Sequence, residues 1–197
     1  MVTATSTYRA ELTSRLRVAT EDIAWAIRGL DATQLGYRAN DREWSAHEHL
    51  AHLRDMEQEV YLPLLRWATV PEMLDPRDYS RKAWREQRYK VNEPPLGIMN
   101  DIARIRDEEL AIFREMPDFV WSRHRNDSRW GPLTCQWLAE LMYRHVLDHM
   151  QSLMALRQDI HLAAITPAGG GLAGVTSGAL LEMQPLVVGG YIGGPLR

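Results

Sequence analysis

His145 and His149 are the residues whose type and spacing most directly indicate chemistry in this chain. They lie four residues apart in a segment with helical periodicity, so both side chains project from one face of a helix, one turn apart. That spacing allows two imidazoles to reach a single metal ion. The pair falls within the apolar stripe of this helix, whose other members are Leu138, Leu141, Met142, Leu153 and Leu156. Because burial of an imidazole without a partner is costly, the pair is expected either to bind a metal or to form hydrogen bonds in the core.

A metal centre needs a further ligand from another helix, and the second predicted helix offers His47, His49 and His52. Ser45 and Glu48 have the spacing of a capping box, which predicts that this helix starts directly after Ser45. Helical periodicity places His49 nearer the centre of the apolar face and His52 at its edge. The spacing therefore leaves both open as the third ligand, whereas His47 is expected at the surface.

The composition is that of an ordinary globular protein and argues against several classes of function. The chain has 197 residues, 45% of them hydrophobic, and a formal net charge of −3. One domain with a sizeable core is therefore expected, and nucleic acid is not expected as a partner. Cys135 is the single cysteine, so no intramolecular disulfide can form, which agrees with a reducing compartment. The sequence contains neither a signal-peptide pattern nor an apolar run of membrane-spanning length, and we expect a cytoplasmic protein with no membrane partner.

Four amphipathic helices account for most of the sequence and predict an all-α four-helix bundle. The predicted helices cover approximately residues 6–30, 46–67, 96–116 and 135–160. The long crossover between the second and third helices, residues 68–95, is expected to contain a short helix at 79–89. Pro63 falls late in the second helix and is expected to kink it or to end it early. No segment has a convincing strand pattern.

The character of the chain changes near residue 166, which divides it into a predicted bundle, 1–165, and a tail, 166–197. The tail is rich in glycine, nearly uncharged and contains short apolar pieces. It is expected to be disordered, to form a short strand, or to lie as an arm on a partner subunit. A second chain would cover its apolar residues, and dimers are the commonest assembly, so a homodimer is predicted.

Two segments resemble the motifs of the DinB-like metalloprotein family. In that family a Trp-Ser or Trp-Thr start is followed by Glu or Gln and then by a metal-binding histidine, and the segment from Trp44 to Leu53 matches this order with His52 at the ligand position. The segment His145-Val-Leu-Asp-His149 resembles the second motif, and Gly131 and Thr134 resemble the lead-in to it. The resemblance covers approximately residues 5–160 and implies that His52, His145 and His149 are the metal ligands.

The same resemblance implies an activity. Three histidines would bind a divalent ion, zinc or nickel, and leave positions open, which is the arrangement of catalytic sites. Family members with assigned activities are thiol transferases or thiol-assisted isomerases, so we expect a metal-dependent enzyme with a small-molecule substrate and a low-molecular-weight thiol as co-substrate. The alternative is a non-catalytic bundle that binds a metal or small ligand, in a stress-related role. The sequence departs from the family at Ser152, often glutamine, and at His49, usually aliphatic.

No residue is predicted to be the catalytic base. Several carboxylates could orient a ligand imidazole or act as a base, although most are expected to be solvated: Glu48, Asp55, Glu59 and Asp148. A basic cluster on the crossover could bind the carboxylates of a thiol, although a solvated helix face is favoured: Arg81, Lys82, Arg85 and Arg88. Cys135 is expected to be an inert thiol, and His124 and His161 to have no role in the site. Packing is favoured over a role in the pocket for Trp84, Trp121, Trp130 and Trp137.

Overall fold

The computed structural model describes residues 4–70, 84, 88–127 and 131–165. The helices are α1 (Ala4–Ile27), α2 (Ala32–Gly36), α3 (Ala46–Met56), α4 (Leu62–Thr69), α5 (Pro95–Glu115), α6 (Asp118–Ser122) and α7 (Cys135–Ile165). A π-helical turn, Glu57–Tyr61, joins α3 to α4, and two short strands, β1 (Arg125–Asp127) and β2 (Gly131–Leu133), form an antiparallel hairpin.

Four long helical elements form the predicted four-helix bundle. They are α1, the continuous rod of α3, the π turn and α4, then α5, and α7. Helix α1 packs against α5 and α7, and α3 packs against the same two helices. Two apolar clusters fill the interior, one containing Leu16, Leu65, Phe113, Trp121 and Met142, the other Ile23, Leu50, Leu53, Ile102 and Val146. Because α7 contributes Met142 to the first cluster and Val146 to the second, His145 lies at the level where the two clusters meet.

Pro63 does not end the second long helical element early, which was one of the two outcomes expected from the sequence. The π-helical turn Glu57–Tyr61 comes directly before it, and the Leu62 N–H donates to the carbonyl of Glu57, five residues earlier. In a regular helix the proline ring would clash with the carbonyl four residues before it. We attribute the uninterrupted course to Thr69 to the wider π turn, which relieves that clash.

Both helices that carry the histidines start at the predicted caps. The Glu48 N–H donates to the Ser45 hydroxyl at 3.2 Å, and the Ser45 N–H donates to the Glu48 carboxylate at 2.9 Å, which confirms the capping box. The Trp137 N–H donates to the Thr134 hydroxyl at 3.0 Å, as expected for the N-cap of α7. Arg38 also donates two hydrogen bonds of 2.8 Å to Glu48, so the start of α3 is held from both sides.

Replacement of Ser45 by alanine is expected to lower the free energy of unfolding by about 1 kcal/mol, because it leaves the Glu48 N–H without its acceptor at a buried helix start. Urea denaturation followed by circular dichroism measures the change. The matched control is Ser14→Ala on the exposed side of α1, where alanine is the better helix former and no loss is expected. A Ser45→Ala protein as stable as Ser14→Ala would contradict the assigned cap.

Three short elements were not predicted from the sequence. Helix α2 has its own capping box from Asp31 to Gln34, and α6 follows Pro117. The hairpin pairs Asn126 with Pro132, and its strands of three residues are too short to show alternation in the sequence. Gly131 begins the second strand with a φ of 73°, a conformation that favours glycine.

Two sequence-based expectations fall largely outside the described residues. Of the predicted crossover helix 79–89 only Trp84, Arg88 and Tyr89 are described, and the tail 166–197 is outside altogether. The observed ends of the four long elements differ by a few residues from the predicted ones, most at the end of α7, which reaches Ile165. Among the described residues, none of the helices combines the length and the apolar composition that a membrane span requires.

Candidate metal centre

Three of the predicted residues come together between α3 and α7. His52, His145 and His149 each place a ring nitrogen within 4.8 Å of the other two. His52 is 1% exposed and His149 7% exposed, and His145 is half-buried. The Nε2 atoms of His145 and His149 lie 3.1 Å apart, so the helical spacing of four residues does aim both rings at one point. This is the set that the family resemblance implies, and among the described residues no further histidine, cysteine or carboxylate joins it.

His49 lies behind this cluster rather than within it. Its Nδ1 is 2.7 Å from the Nδ1 of His149, whereas the other ring nitrogen of His149, Nε2, faces His145. One of the two rings must donate and the other accept at that distance. The structure therefore gives the two alternatives different positions, with His52 in the three-histidine cluster and His49 in contact with one of its members.

The sequence periodicity could not distinguish these histidines because α3 has almost no polar face. Every residue from Ala46 to Leu53 is buried, so an apolar stripe cannot be told from its edges. His47 is a direct correction: it was expected at the surface and is 6% exposed. Its Nε2–H donates to the carbonyl oxygen of Glu93 at 2.7 Å, and its Nδ1 is 2.8 Å from the Tyr89 hydroxyl. Both nitrogens are thus used in joining α3 to the segment before α5.

Aromatic side chains form the walls of the cluster. The ring of Trp44 lies 4.8 Å from that of His52 and 6.1 Å from that of His149. The ring of Trp84 lies 4.9 Å from His52, and its Nε1–H donates to Asp55 at 2.6 Å. Trp84, although packed and buried as expected, therefore also contacts the site.

Trp44 and Tyr61 are site residues that the sequence reasoning missed. The Tyr61 ring lies 5.6 Å from that of His145, and burial, with a smaller contribution from the Glu57 carboxylate, raises the pKa of its hydroxyl, which keeps it neutral. The sequence did indicate a position near the site for Trp44, because this residue directly precedes Ser45, the N-cap of α3. No signal identified Tyr61, whose direction depends on the π turn.

The carboxylates considered as orienting groups mostly have structural partners. Glu48 caps α3, Asp55 accepts from Trp84 and Arg54, and Glu59 pairs with Arg88. Asp148 differs, because it is exposed and borders the site. A cavity of about 250 Å³ adjoins His149, and its lining consists of Arg42, Glu43, Trp44, His49, Asp148, His149 and Ser152.

The remaining predicted groups lie away from the cluster or outside the described residues. Cys135 is fully buried, and burial raises the pKa of its thiol to about 11, in agreement with the expectation of an inert cysteine. Trp121 packs against Phe113 and Trp137 against the core, and His124 and His161 are exposed. The predictions made for four other residues lie outside the described part of the chain: Arg81, Lys82, Arg85 and Trp130.

Comparisons with known proteins agree with this fold. The structure is similar to that of YfiT from Bacillus subtilis, described as a probable metal-dependent hydrolase with an unusual four-helix bundle topology, with 18% identity, a TM-score of 0.69, and coverage of 78% of this chain and 87% of that one. It is also similar to a mycothiol-dependent maleylpyruvate isomerase, with 18% identity, a TM-score of 0.60, and coverage of 74% of this chain and 60% of that one. At such identities the likeness shows the fold alone.

The sequence itself carries the family assignment. The comparison with curated protein sequences gave no significant match. The family model for the DinB superfamily matches residues 15–153, which include all of α3 and the three clustered histidines. That span covers well over half of the chain, and this protein belongs to the DinB superfamily.

Proposed function

We propose that this protein is a divalent-metal-dependent enzyme in which His52, His145 and His149 hold zinc or nickel and a thiol or water is activated as nucleophile. The observation that carries the proposal is the convergence of three ring nitrogens within 4.8 Å, from two helices, in a largely buried place. Apolar packing does not explain why three imidazoles are buried together, whereas a shared cation would give the lone pair of each ring a partner.

The donor set fits such an ion. Neutral imidazoles suit zinc and nickel, and two ligands of a tetrahedral zinc ion lie roughly 3.3 Å apart. The separation of 3.1 Å between the Nε2 atoms of His145 and His149 is close to that value. A set of three protein ligands leaves a coordination position for a nucleophile or substrate, which distinguishes catalytic from closed structural sites.

The ion would lower the pKa of a bound thiol or water and so supply a nucleophile near neutral pH. The protein's own residues do the rest. The Trp44 and Trp84 rings, packed against His52, exclude water from one side of the cluster. On the His149 side, the cavity offers the Arg42 guanidinium to anionic substrate groups, and the exposed Asp148 carboxylate can accept the proton that the nucleophile loses.

We propose a low-molecular-weight thiol as the co-substrate. Its support is that one structural neighbour is a mycothiol-dependent isomerase, although another is described as a probable hydrolase, which would use water. The cavity volume of about 250 Å³ suits a small-molecule electrophile better than a macromolecule. The homodimer remains a prediction, which analytical ultracentrifugation of the full chain would test.

Metal content is the first test. Protein purified without chelator is expected to hold about one divalent ion per chain, by elemental analysis, and to lose it in His52→Ala, His145→Ala and His149→Ala. His161→Ala, on the exposed end of α7, is the matched control and should keep the ion. Stoichiometric metal in all three cluster variants would contradict the site, and a wild-type protein without affinity for any divalent ion would contradict the function.

Turnover separates the nucleophiles. The zinc- and nickel-loaded proteins are assayed with a panel of small electrophiles and glutathione, bacillithiol or mycothiol, and with ester substrates in the absence of thiol. Thiol-dependent turnover that the cluster variants lack is the expected result. Hydrolysis without thiol would replace the thiol by water in the proposal. Tight metal binding without either activity would instead favour a non-catalytic metal-binding bundle.

A further inference from the structure

We propose that His49 is a positioning residue for the metal centre: it accepts a hydrogen bond from the Nδ1–H of His149 and thereby presents the Nε2 lone pair of His149 to the ion. The inference rests on the proposed function for its purpose. His49 thereby has a role in the site, although the sequence spacing alone had left it as an alternative to His52 for the third ligand.

The two ring nitrogens of His149 face two different histidines. A neutral imidazole carries one N–H and one lone pair, so the nitrogen that binds a metal leaves the other as the donor. Nε2 of His149 faces Nε2 of His145 at 3.1 Å, and Nδ1 faces Nδ1 of His49 at 2.7 Å. If Nε2 is the ligand, the proton must be on Nδ1, and it points at His49.

The tautomer of His49 then follows. To accept at Nδ1, the His49 ring must hold its own proton on Nε2. Metal-bound histidines commonly donate to a carboxylate, a backbone carbonyl or water, and this contact fixes the orientation and the tautomer of the ligand ring. Here a neutral imidazole takes that place. It adds no negative charge, so it would make His149 a weaker electron donor than a carboxylate partner would, and an ion bound there would be more electrophilic.

The surroundings hold His49 in this position. His49 is 8% exposed, and its ring meets the His149 ring at an interplanar angle of 77° and lies 5.5 Å from the ring of Trp44. The helical register of α3 places His49 and His52 on adjoining positions of the helix surface that faces α7. Helix α3 thus carries one proposed ligand, His52, and also the residue that orients a second ligand, His149.

The test compares two variants of His49 with a matched control. His49→Leu fills the site without an acceptor, whereas the amide oxygen of His49→Asn can take the place of Nδ1. Zinc affinity, measured by competition with a chromophoric chelator, is expected to fall roughly 10- to 100-fold in His49→Leu and to stay within about threefold of wild type in His49→Asn. His47→Gln, a change at another buried histidine of α3 with partners elsewhere, should leave the affinity unchanged. The visible spectrum of the Co²⁺ protein should shift in His49→Leu alone.

A second measurement does not need the metal. Long-range ¹H–¹⁵N spectra of the metal-free protein are expected to show His149 protonated on Nδ1 and His49 on Nε2, with the His149 tautomer kept in His49→Asn and lost in His49→Leu. A wild-type His149 protonated on Nε2 would overturn the inference. So would unchanged zinc affinity in His49→Leu, or loss of the ion from that variant even at saturating zinc, which would make His49 a ligand. A wild-type protein that binds no metal, with the expected tautomers, would overturn the proposed function and the purpose assigned to His49, but leave the contact itself established.

Discussion

Replacement of Arg106 by leucine is expected to lower the free energy of unfolding by about 3–5 kcal/mol, because it removes the cation from a fully buried group of charges. Arg106, on α5, is 2% exposed and lies between Glu57 of the π turn and Glu109, which are 1% and 0% exposed. Its guanidinium is 2.5 Å from the Glu57 carboxylate and 2.8 Å from that of Glu109. Without it both carboxyl groups would remain in the core with no cation. Urea denaturation measures the loss.

Glu109 is the member of this trio that can lose its charge. Burial, and then repulsion from the Glu57 carboxylate, raise its pKa well above the ordinary value, against the opposing effect of Arg106. One buried proton would leave the trio neutral, with a single ion pair between Arg106 and Glu57. Because the folded state keeps a proton that the unfolded state releases above about pH 4.5, this group makes stability fall as the pH rises from there toward its folded pKa.

Two further variants make the Arg106 prediction specific. Glu109→Gln mimics the neutral carboxyl group of Glu109, so it should change the free energy of unfolding little. It should also abolish the part of the fall in stability with rising pH that Glu109 causes. The triple change Glu57→Met, Arg106→Leu and Glu109→Met replaces the whole trio by apolar groups and should recover most of what Arg106→Leu loses. A loss below about 1 kcal/mol in Arg106→Leu, or a triple variant less stable than the single one, would show that the trio is not held together as described.

Polar residues within an apolar stripe indicated the buried histidines of α7, but the same pattern in α5 was overlooked. His145 and His149 drew attention because they fall on an apolar stripe. Arg106 and Glu109 fall equally on the stripe of α5 between Ile102 and Phe113, all buried, and could have been recognised in the same way. The apolar stripe of α5 could not indicate which residue of another element pairs with Arg106. Glu57 reaches Arg106 from another helix, through a π turn that no residue pattern predicted.

The fold was more predictable than the details of the site. Four amphipathic segments and two capped helix starts sufficed for the bundle, because helix periodicity and cap chemistry are local. The choice among His47, His49 and His52 was not local, since α3 is buried on nearly every side and periodicity loses its meaning there. The family motif pointed to His52, whereas only the packing of α3 on α7 shows His49 behind His149 and His47 turned toward Tyr89.

Removal of the proposed metal ion is expected to lower the free energy of unfolding by about 4 kcal/mol when the free ion was present at roughly 1,000 times its dissociation constant. The physical reason is that His52 and the two histidines of α7 are distant in sequence and converge only in the folded bundle. An ion held by all three therefore binds the folded state in preference to the unfolded one, less any affinity of histidines in the unfolded chain. Thermal and urea unfolding with zinc, and after dialysis against a chelator, measure the difference.

The controls separate this linkage from general effects of salt or chelator. Mg²⁺, which prefers oxygen ligands, should leave the unfolding curve unchanged at the same concentration. His145→Ala should unfold at the same point with and without zinc, whereas His161→Ala should keep the full shift, because His161 is exposed and outside the cluster. If zinc stabilised His145→Ala, His52→Ala and the wild type alike, the ion would be bound elsewhere. If it stabilised none of them, the three imidazoles would have to be held by hydrogen bonds alone, and the bundle would owe its stability to the packing of its two apolar clusters.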